Sequence, residues 1–491
     1  MKRTKIVATI GPASENKEIL REMIKSGMDV ARLNFSHGNY ASHTKIIENI
    51  RELSQEMEEN IGIMADLQGP RIRTLADADF EIKSGDDVLI YAASKDSKIS
   101  NSQFLISNQI PNSNEENLKA FALDYPDIIQ DIEIGNEILI EDGLIRVKVV
   151  EKNSDFLKAE AIDGGIIKNH KGVNIPDAKL KIPVITPKDE EDLLFALGQD
   201  VDFVAISFVS SAQDIVDLRN KIKKILGRED NLPHIVAKIE RREAIKNLDE
   251  IIKETDAVMV ARGDLGIEID ESKVVILQKE IIAKSRQNIK PVIVATQMLD
   301  SMIKNPRPTR AEVSDVSNAV IDHTDAVMLS GETASGKYPV ETIKIMTEII
   351  KNTEGSSFDD ICECETVENN KQNKHLPFIS SVCEMSKSPE AKAILVKSLS
   401  GFTARLMSHF RPEKPILVAT SSRKTATQLS LAWGVRAIFF ETESQFNEPL
   451  KILIEKGKEL KMLKSGDKAV VIIGKNKDNG EMELVGLKEI A

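Results

Sequence analysis

Aromatic residues are scarce, at 4% of 491 residues with a single Trp. That leaves no stock of stacking rings for single-stranded nucleic acid. Cysteine is almost missing: Cys362, Cys364 and Cys383 are an odd number in a long chain. They cannot form a disulfide framework, and they leave a zinc site one ligand short, so reduced thiols in a cytoplasmic setting are expected. No apolar run is long enough to cross a bilayer. The opening Met1-Lys-Arg-Thr-Lys-Ile-Val-Ala-Thr-Ile-Gly-Pro12 starts like a secretory signal, but its apolar part is short and Pro12 ends it, so it reads as a first β-strand. There is no polybasic segment, and the net charge is -12. Nucleic acid and anionic membranes are therefore not expected as partners, although an acidic chain can still hold a local cationic pocket.

What is present is alternation. Apolar strands at Lys5 to Ile10, Met28 to Leu33 and Ile61 to Ala65 are separated by amphipathic stretches at Lys17 to Gly27 and Tyr40 to Glu56. The rhythm stops after Gly69-Pro70. From about Thr74 to His170 the text is strand and turn, with an Asp142-Gly143 hairpin signal. Alternation resumes at Pro187, whose acidic first turn suits a helix start. Strands follow at Val201 to Ile206, His234 to Ile239, Ala257 to Ala261, Pro291 to Ala295 and Ala326 to Leu329. Eight βα units predict an α/β fold, a (β/α)8 TIM barrel, with an open doubly wound sheet as its rival. The division expected is a barrel over 1–69 and 172–345, a small all-β domain inserted at 70–171, and a C-terminal α/β domain over 346–491. That last domain should carry strands at Ala391 to Lys397, Pro415 to Ala419, Arg436 to Phe440 and Ala469 to Ile473.

In such a barrel the chemistry sits at the C-terminal strand ends. Strand two ends in Arg32, Asn34, Ser36 and His37. The third is followed by Asp66, Leu67, Arg71 and Arg73, and the fourth by Ser207-Phe208. Lys238 and Glu240 close the fifth; Arg262, Gly263 and Asp264 follow the sixth. The seventh gives Thr296-Gln297-Met298 and the eighth Ser330-Gly331-Glu332-Thr333. Two carboxylates, Glu240 and Asp264, suit a hard divalent cation that shares oxygens with a substrate phosphate. Lys238 beside them is a point charge for a moving phosphoryl group. Taken singly, each segment also fits a salt-bridged strand end.

Together these stretches resemble pyruvate kinase. The resemblance rests on Thr4-Lys-Ile-Val-Ala-Thr-Ile-Gly-Pro12, Ala31-Arg-Leu-Asn-Phe-Ser-His-Gly38, Gly69-Pro70 with Ile72-Arg73, and Lys171-Gly-Val-Asn-Ile-Pro176. It continues through Ser207-Phe208, Lys238-Ile-Glu240, Met259 to Gly266, Ala295-Thr-Gln-Met-Leu299, Pro306 to Glu312 and Leu329 to Ala334. It implies transfer of a phosphoryl group from phosphoenolpyruvate to ADP, giving pyruvate and ATP in glycolysis, in a cytoplasmic homotetramer. It implies Mg2+ or Mn2+ on Glu240 and Asp264, and substrate held by Arg32, Ser207, Lys238, Gly263, Asp264 and Thr296. Lys238 would neutralise the phosphoryl group, Arg32 and Arg73 would clamp phosphate, and Thr296, with Ser330, would govern protonation of the enolate through water. Arg32, Asn34, His37, Arg73 and Lys171 would hold the nucleotide.

A monovalent-cation site for K+ would comprise Asn34, Ser36, Asp66 and Leu67. Here the chain departs from K+-requiring relatives: Asp66-Leu-Gln-Gly-Pro-Arg71 carries Arg71 where they carry Glu. Arg71 is accordingly expected to supply the charge, making K+ dispensable. Ser398, Ser400, Gly401 and Thr403 precede a helix of the last domain and could hold an effector phosphate or simply cap the helix. The rival readings are a P-loop at Gly331 to Lys337, opposed by Tyr338 where Ser or Thr is needed, a non-catalytic barrel, and a metal-dependent lyase on the same barrel.

Overall fold

The computed structural model describes residues 2–93, 119–176, 178, 181–359, 376–441, 447–473 and 484–491. Cys362 and Cys364 lie outside these. Cys383 is a buried thiol whose sulfur points at the Phe410 carbonyl, 3.9 Å away.

Eight parallel strands close into a barrel: Lys5–Thr9, Val30–Asn34, Gly62–Asp66, Phe203–Ile206, His234–Ile239, Ala257–Ala261, Val292–Ala295 and Ala326–Leu329. Each pairs with the next, and the ring shuts where Lys5 faces Ala326. These strands read as continuous apolar text because both faces are covered. Ile6 and Ala8 point outward to the helices. Val7 belongs with Met64, Phe203, Val236, Met259 and Ile293 in a separate cluster filling the barrel. The doubly wound alternative is thereby set aside.

Local signals fix the helices around it. Lys17–Ser26 starts where the Asn16 side chain accepts from the Glu18 N–H, and stops at Gly27, whose φ of 119° only glycine adopts freely. Tyr40–Glu56 matches the sequence-based range.

The insert is a closed seven-stranded barrel of its own. Its Glu137–Ile140 and Ile145–Lys152 strands form the hairpin signalled by Asp142-Gly143. Strand Gly172–Asn174 pairs with Ile72 and Arg73, so this segment, expected in the main barrel, belongs to the insert's sheet. The other expected border, between 345 and 346, falls inside helix Pro339–Glu354, whose apolar stripe packs on barrel helices without a break. Pro339 begins that helix and only a short turn, Gly331–Ala334, follows the eighth strand. The P-loop reading fails there.

The last domain has a five-stranded sheet in the order Val435–Phe439, Ile416–Thr420, Ala391–Lys397, Lys468–Ile473, Leu484–Glu489. The fifth strand, antiparallel, is missing from the sequence reading. Val-Gly-Leu-Lys-Glu is short, glycine-interrupted and partly exposed, so it carries little apolar pattern. Trp433 sits between two guanidinium groups, Arg3 at 5.1 Å and Arg411 at 4.8 Å from the ring centre, tying the chain's start to this domain.

Candidate active site

The C-terminal rim gathers residues from successive strands around one buried lysine. Lys238 Nζ donates to Ser207 Oγ at 2.7 Å and lies 2.8 Å from Glu240 Oε1 and 3.4 Å from Asp66 Oδ1. Ser207 Oγ in turn donates to the Leu67 carbonyl at 2.7 Å, joining strands three, four and five. Asp66 Oδ2 accepts from Arg32 Nε at 2.6 Å, and Arg32 Nη1 donates to Thr9 Oγ1 at 2.8 Å. Glu240 Oε2 accepts from the Phe208 N–H at 2.8 Å.

These contacts set the charge states. Burial would raise Asp66, but Lys238 and Arg32 outweigh it and hold the carboxyl below its usual range. Burial would deprotonate Lys238, yet Asp66 and Glu240 keep it above the ordinary lysine value. Glu240 is pushed up by burial, opposed by Lys238 and assisted by the negative charge of Asp264. A buried carboxylate pushed up in part by a second carboxylate nearby is what a divalent cation relieves, so Glu240 and Asp264 fit Mg2+. Among the described residues no group of three or more His, Cys, Asp or Glu side chains offers a closed metal cage.

Strands six and seven are locked by Arg262. Its guanidinium donates to the Thr296 carbonyl at 2.6 Å and to Asp315 at 2.8 Å. Thr296 and Gln297 have φ of 69° and 56°, a left-handed bend unusual for a β-branched residue. The bend aims Thr296 Oγ1 at the Gly263 N–H, 2.8 Å away. The Gly263 amide, expected to meet a substrate carboxylate, is thus already engaged, and that carboxylate must share it with the threonine hydroxyl. Ser330 is held through its own N–H, which donates to Glu332 Oε2 at 2.7 Å.

The remaining expected residues are placed less centrally. Asn34 Oδ1 accepts from the Ser36 N–H at 3.1 Å, and His37 is exposed. Asp66 Oδ1 is buried, with the Lys238 ammonium 3.4 Å away as its one charged neighbour, beside the Asn34, Ser36 and Leu67 positions expected to hold a monovalent cation. Arg71 does not reach Asp66; its guanidinium stands 3.6 Å from Asp264 Oδ1. Lys171, expected at the nucleotide, is paired with Glu141 inside the insert at 2.6 Å. Arg73 has no carboxylate at ion-pair distance among the described residues. In the last domain, Gly401 (φ 73°) opens helix Phe402–His409 with no side-chain cap. Ser422, by contrast, is an ordinary cap accepting from Thr425 N–H at 3.1 Å.

Two contributors escaped sequence reasoning. Thr9 looked like strand text, yet it accepts from Arg32 and its carbonyl accepts from Thr333 Oγ1 at 2.9 Å. Asp189 looked like first-turn charge; it is 1% exposed, and its Oδ1 accepts from the Gly69 N–H at 3.1 Å. A buried partner for a loop 120 residues away leaves no local signal.

Known proteins share this sequence pattern and fold. The family model described as pyruvate kinase, barrel domain, matches residues 1–343, and the one described as pyruvate kinase, alpha/beta domain, matches 378–485. A pyruvate kinase of Clostridium perfringens is 40% identical over 482 residues, covering 96% of this chain and 96% of its own. One from Sporosarcina psychrophila is also 40% identical over 482 residues, covering 96% of this chain and 78% of its own. The crystal structure of a pyruvate kinase from Cryptosporidium parvum has a TM-score of 0.89 at 34% identity, covering 100% of this chain and 96% of that one.

Proposed function

The chain belongs to the pyruvate kinase family, and we infer from that premise how its own rim divides the work of phosphoryl transfer from phosphoenolpyruvate to ADP. It is a phosphotransferase of glycolysis, and pyruvate and ATP are the products. The observation that carries the assignment of roles is the buried charge network centred on Lys238, whose partners come from strands three, four and five.

Lys238 faces the phosphoryl group in flight. Transfer of this kind is mostly positioning and charge neutralisation, and a preorganised ammonium in a dry rim acts more strongly than one in water. Asp66 and Glu240 keep that ammonium protonated. Arg32, braced by Asp66 and Thr9, and Arg73 offer planar forks to phosphate oxygens. Glu240 and Asp264 would hold Mg2+, on which the family generally depends, and the ion would supply Lewis-acid charge at this side of the rim. Thr296 sits beside Gly263 and Asp264, where the substrate carboxylate docks, and Ser330 is its neighbour on the next strand. Together they order the water that delivers a proton to the enolate carbon, since neither hydroxyl is an acid at neutral pH. Asn34, His37, Arg73 and Lys171 serve the nucleotide, with Lys171 arriving when the insert closes.

Arg71 brings a fixed positive charge to the metal side of the rim, which supports turnover without K+. Asp66 Oδ1, buried with only the Lys238 ammonium 3.4 Å away, supports the second reading, that a monovalent cation still binds. The family's usual homotetramer is proposed for this chain, to be checked by light scattering on the eluted protein, and a cytoplasmic location with it. No helix among the described residues is long and apolar enough to cross a membrane. Ser398, Ser400, Gly401 and Thr403 are proposed to hold an effector phosphate. Pyruvate release from phosphoenolpyruvate and ADP, coupled to NADH oxidation, tests the central reading: activity abolished by EDTA and restored by Mg2+ is expected, and its absence with both substrates saturating would reject it.

A further inference from the structure

Glu332 is a buried acid outside the roles assigned to the rim so far. It lies just after the eighth strand and is 2% exposed. Its Oε2 accepts from the Ser330 N–H at 2.7 Å. Its Oε1 accepts from the Leu299 N–H at 3.1 Å, on the loop that follows the seventh strand. One carboxylate therefore bridges the loops that carry Thr296 and Ser330.

Burial pushes the Glu332 pKa up; its own N–H and those of Leu299 and Ser330 oppose this, and Asp300 adds to it. Among the described residues no Lys or Arg forms an ion pair with it. Burying a charge without a cation partner costs stability. What the carboxylate supplies is geometry, since its two acceptor oxygens can hold two N–H groups at a fixed spacing. Further along both loops a second junction exists. The Lys337 N–H donates to the Ile303 carbonyl at 3.0 Å, and a Cβ on Gly331 would stand 3.0 Å from Ile303 Cδ1. Glu332 thus sets the end of the junction nearer in the chain to Thr296 and Ser330, and leaves the rest to other contacts.

We propose that Glu332 is a positioning residue for enolate protonation, fixing the main chain at Ser330 and Leu299 so that the Ser330 and Thr296 hydroxyls hold one water against the enolate carbon. This role rests on the pyruvate kinase reaction and on the assignment of those two hydroxyls to its proton step. In that step the C=C electron pair of the enolate takes a proton from the water. The charge on the enolate oxygen becomes the carbonyl bond, and solvent reprotonates the hydroxide left behind. Phosphoryl transfer does not pass through this water, so the two steps should answer differently to loss of Glu332.

The test measures both steps in the full chain. Rapid quenching of a single turnover reads ATP formed from phosphoenolpyruvate and ADP. Proton NMR in D2O, with Mg2+ and ATP, reads exchange of the pyruvate methyl hydrogens, which reverses the proton step. In Glu332→Gln one acceptor oxygen becomes an amide N–H2 facing a peptide N–H. Methyl exchange should slow by about tenfold or more, while ATP formation and the KM for phosphoenolpyruvate change by less than about twofold. Glu332→Asp keeps the charge but is too short to span both N–H groups. It should show the same split, and it decides if the glutamine variant fails to fold. Glu354→Gln is the control: that buried carboxylate accepts from the Arg3 and Thr4 N–H groups at 2.8 and 2.6 Å, before the first strand and at the opposite end of the barrel. Its ratio of the two rates should match wild type. Equal slowing of both steps in the Glu332 variants, unslowed exchange, or a changed ratio in Glu354→Gln overturns the positioning role while leaving the reaction standing. A wild-type chain that makes no ATP rejects the reaction and this role with it.

Discussion

The carboxylate of Asp189 holds the N–H of Gly69 at 3.1 Å from across the barrel's helix layer. Its other oxygen accepts from the Thr186 N–H at 2.9 Å and from the Thr186 hydroxyl at 2.6 Å, so one buried side chain both caps a helix and anchors the hinge of the insert. Gly69 cannot answer with a side chain of its own: at φ of 69° a Cβ would stand 2.9 Å from Phe208 Cδ2. The two functions separate by mutation. Asp189→Ala and Thr186→Ala should each cost about 1 kcal/mol or more of stability through the lost cap. Only Asp189→Ala should also lower kcat/KM for phosphoenolpyruvate, by roughly tenfold, because Arg71 and Arg73 emerge from the loosened hinge. Equal kinetic losses in both variants would make Asp189 a cap and nothing more.

Lys238→Met should reduce kcat by about a thousandfold. It should also destabilise the fold by roughly 3–5 kcal/mol, since Asp66 and Glu240, each 1% exposed in their side chains, lose their common cation. Urea unfolding and single-turnover assays at low temperature report the two effects independently. A variant of unchanged stability would contradict the buried network.

His234 gives the pH dependence a definite sign. Burial, with Arg405, Arg219 and Lys424 helping and Asp256 opposing, pushes its pKa down to about 4. The unfolded chain therefore takes up the proton first as pH falls below 6.5, and stability drains away until about pH 4. At most roughly 3 kcal/mol is lost by this route. Urea midpoints at pH 7 and pH 4.5 should lie closer together in His234→Gln than in wild type; an identical gap would show that other groups control the acid limb.

Adding K+ examines the proposed role of Arg71. In tetramethylammonium buffer, wild-type turnover should change less than about twofold on adding KCl, whereas Arg71→Glu should rise tenfold or more as K+ restores the missing charge. A wild-type enzyme strongly activated by KCl would favour the cation reading of Asp66 Oδ1 instead.

Thr296→Ser should keep most activity and Thr296→Ala lose about a hundredfold, because the hydroxyl that receives the Gly263 N–H is retained only in the first. Activity in heavy water sharpens the reading, since a proton step governed by this hydroxyl should show a solvent isotope effect that grows in the serine variant.

The barrel was legible because its strands are buried on both faces and each ends abruptly in charge, so Lys238, Glu240 and Asp264 announce one edge without coordinates. Register was not. Nothing local says that Ser207 bridges Lys238 to Leu67, that Arg71 faces Asp264 in place of Asp66, or that Lys171 rests on Glu141. Those outcomes depend on how distant loops pack. Asp189 and Thr9 were missed for the same reason, their roles being partnerships across the fold. The end of the first helix at Gly27 was read correctly because its physics is contained within a few residues, whereas the Asn16 cap at its start emerged only from the structure.

Trp433 is the one indole in 491 residues, and it is gripped by Arg3 from the chain's start and Arg411 from the terminal domain. Its ultraviolet emission is therefore a label supplied by the protein itself. A shift in wavelength or intensity on adding a ligand reports slippage at one junction, without a dye, a tag or an engineered cysteine.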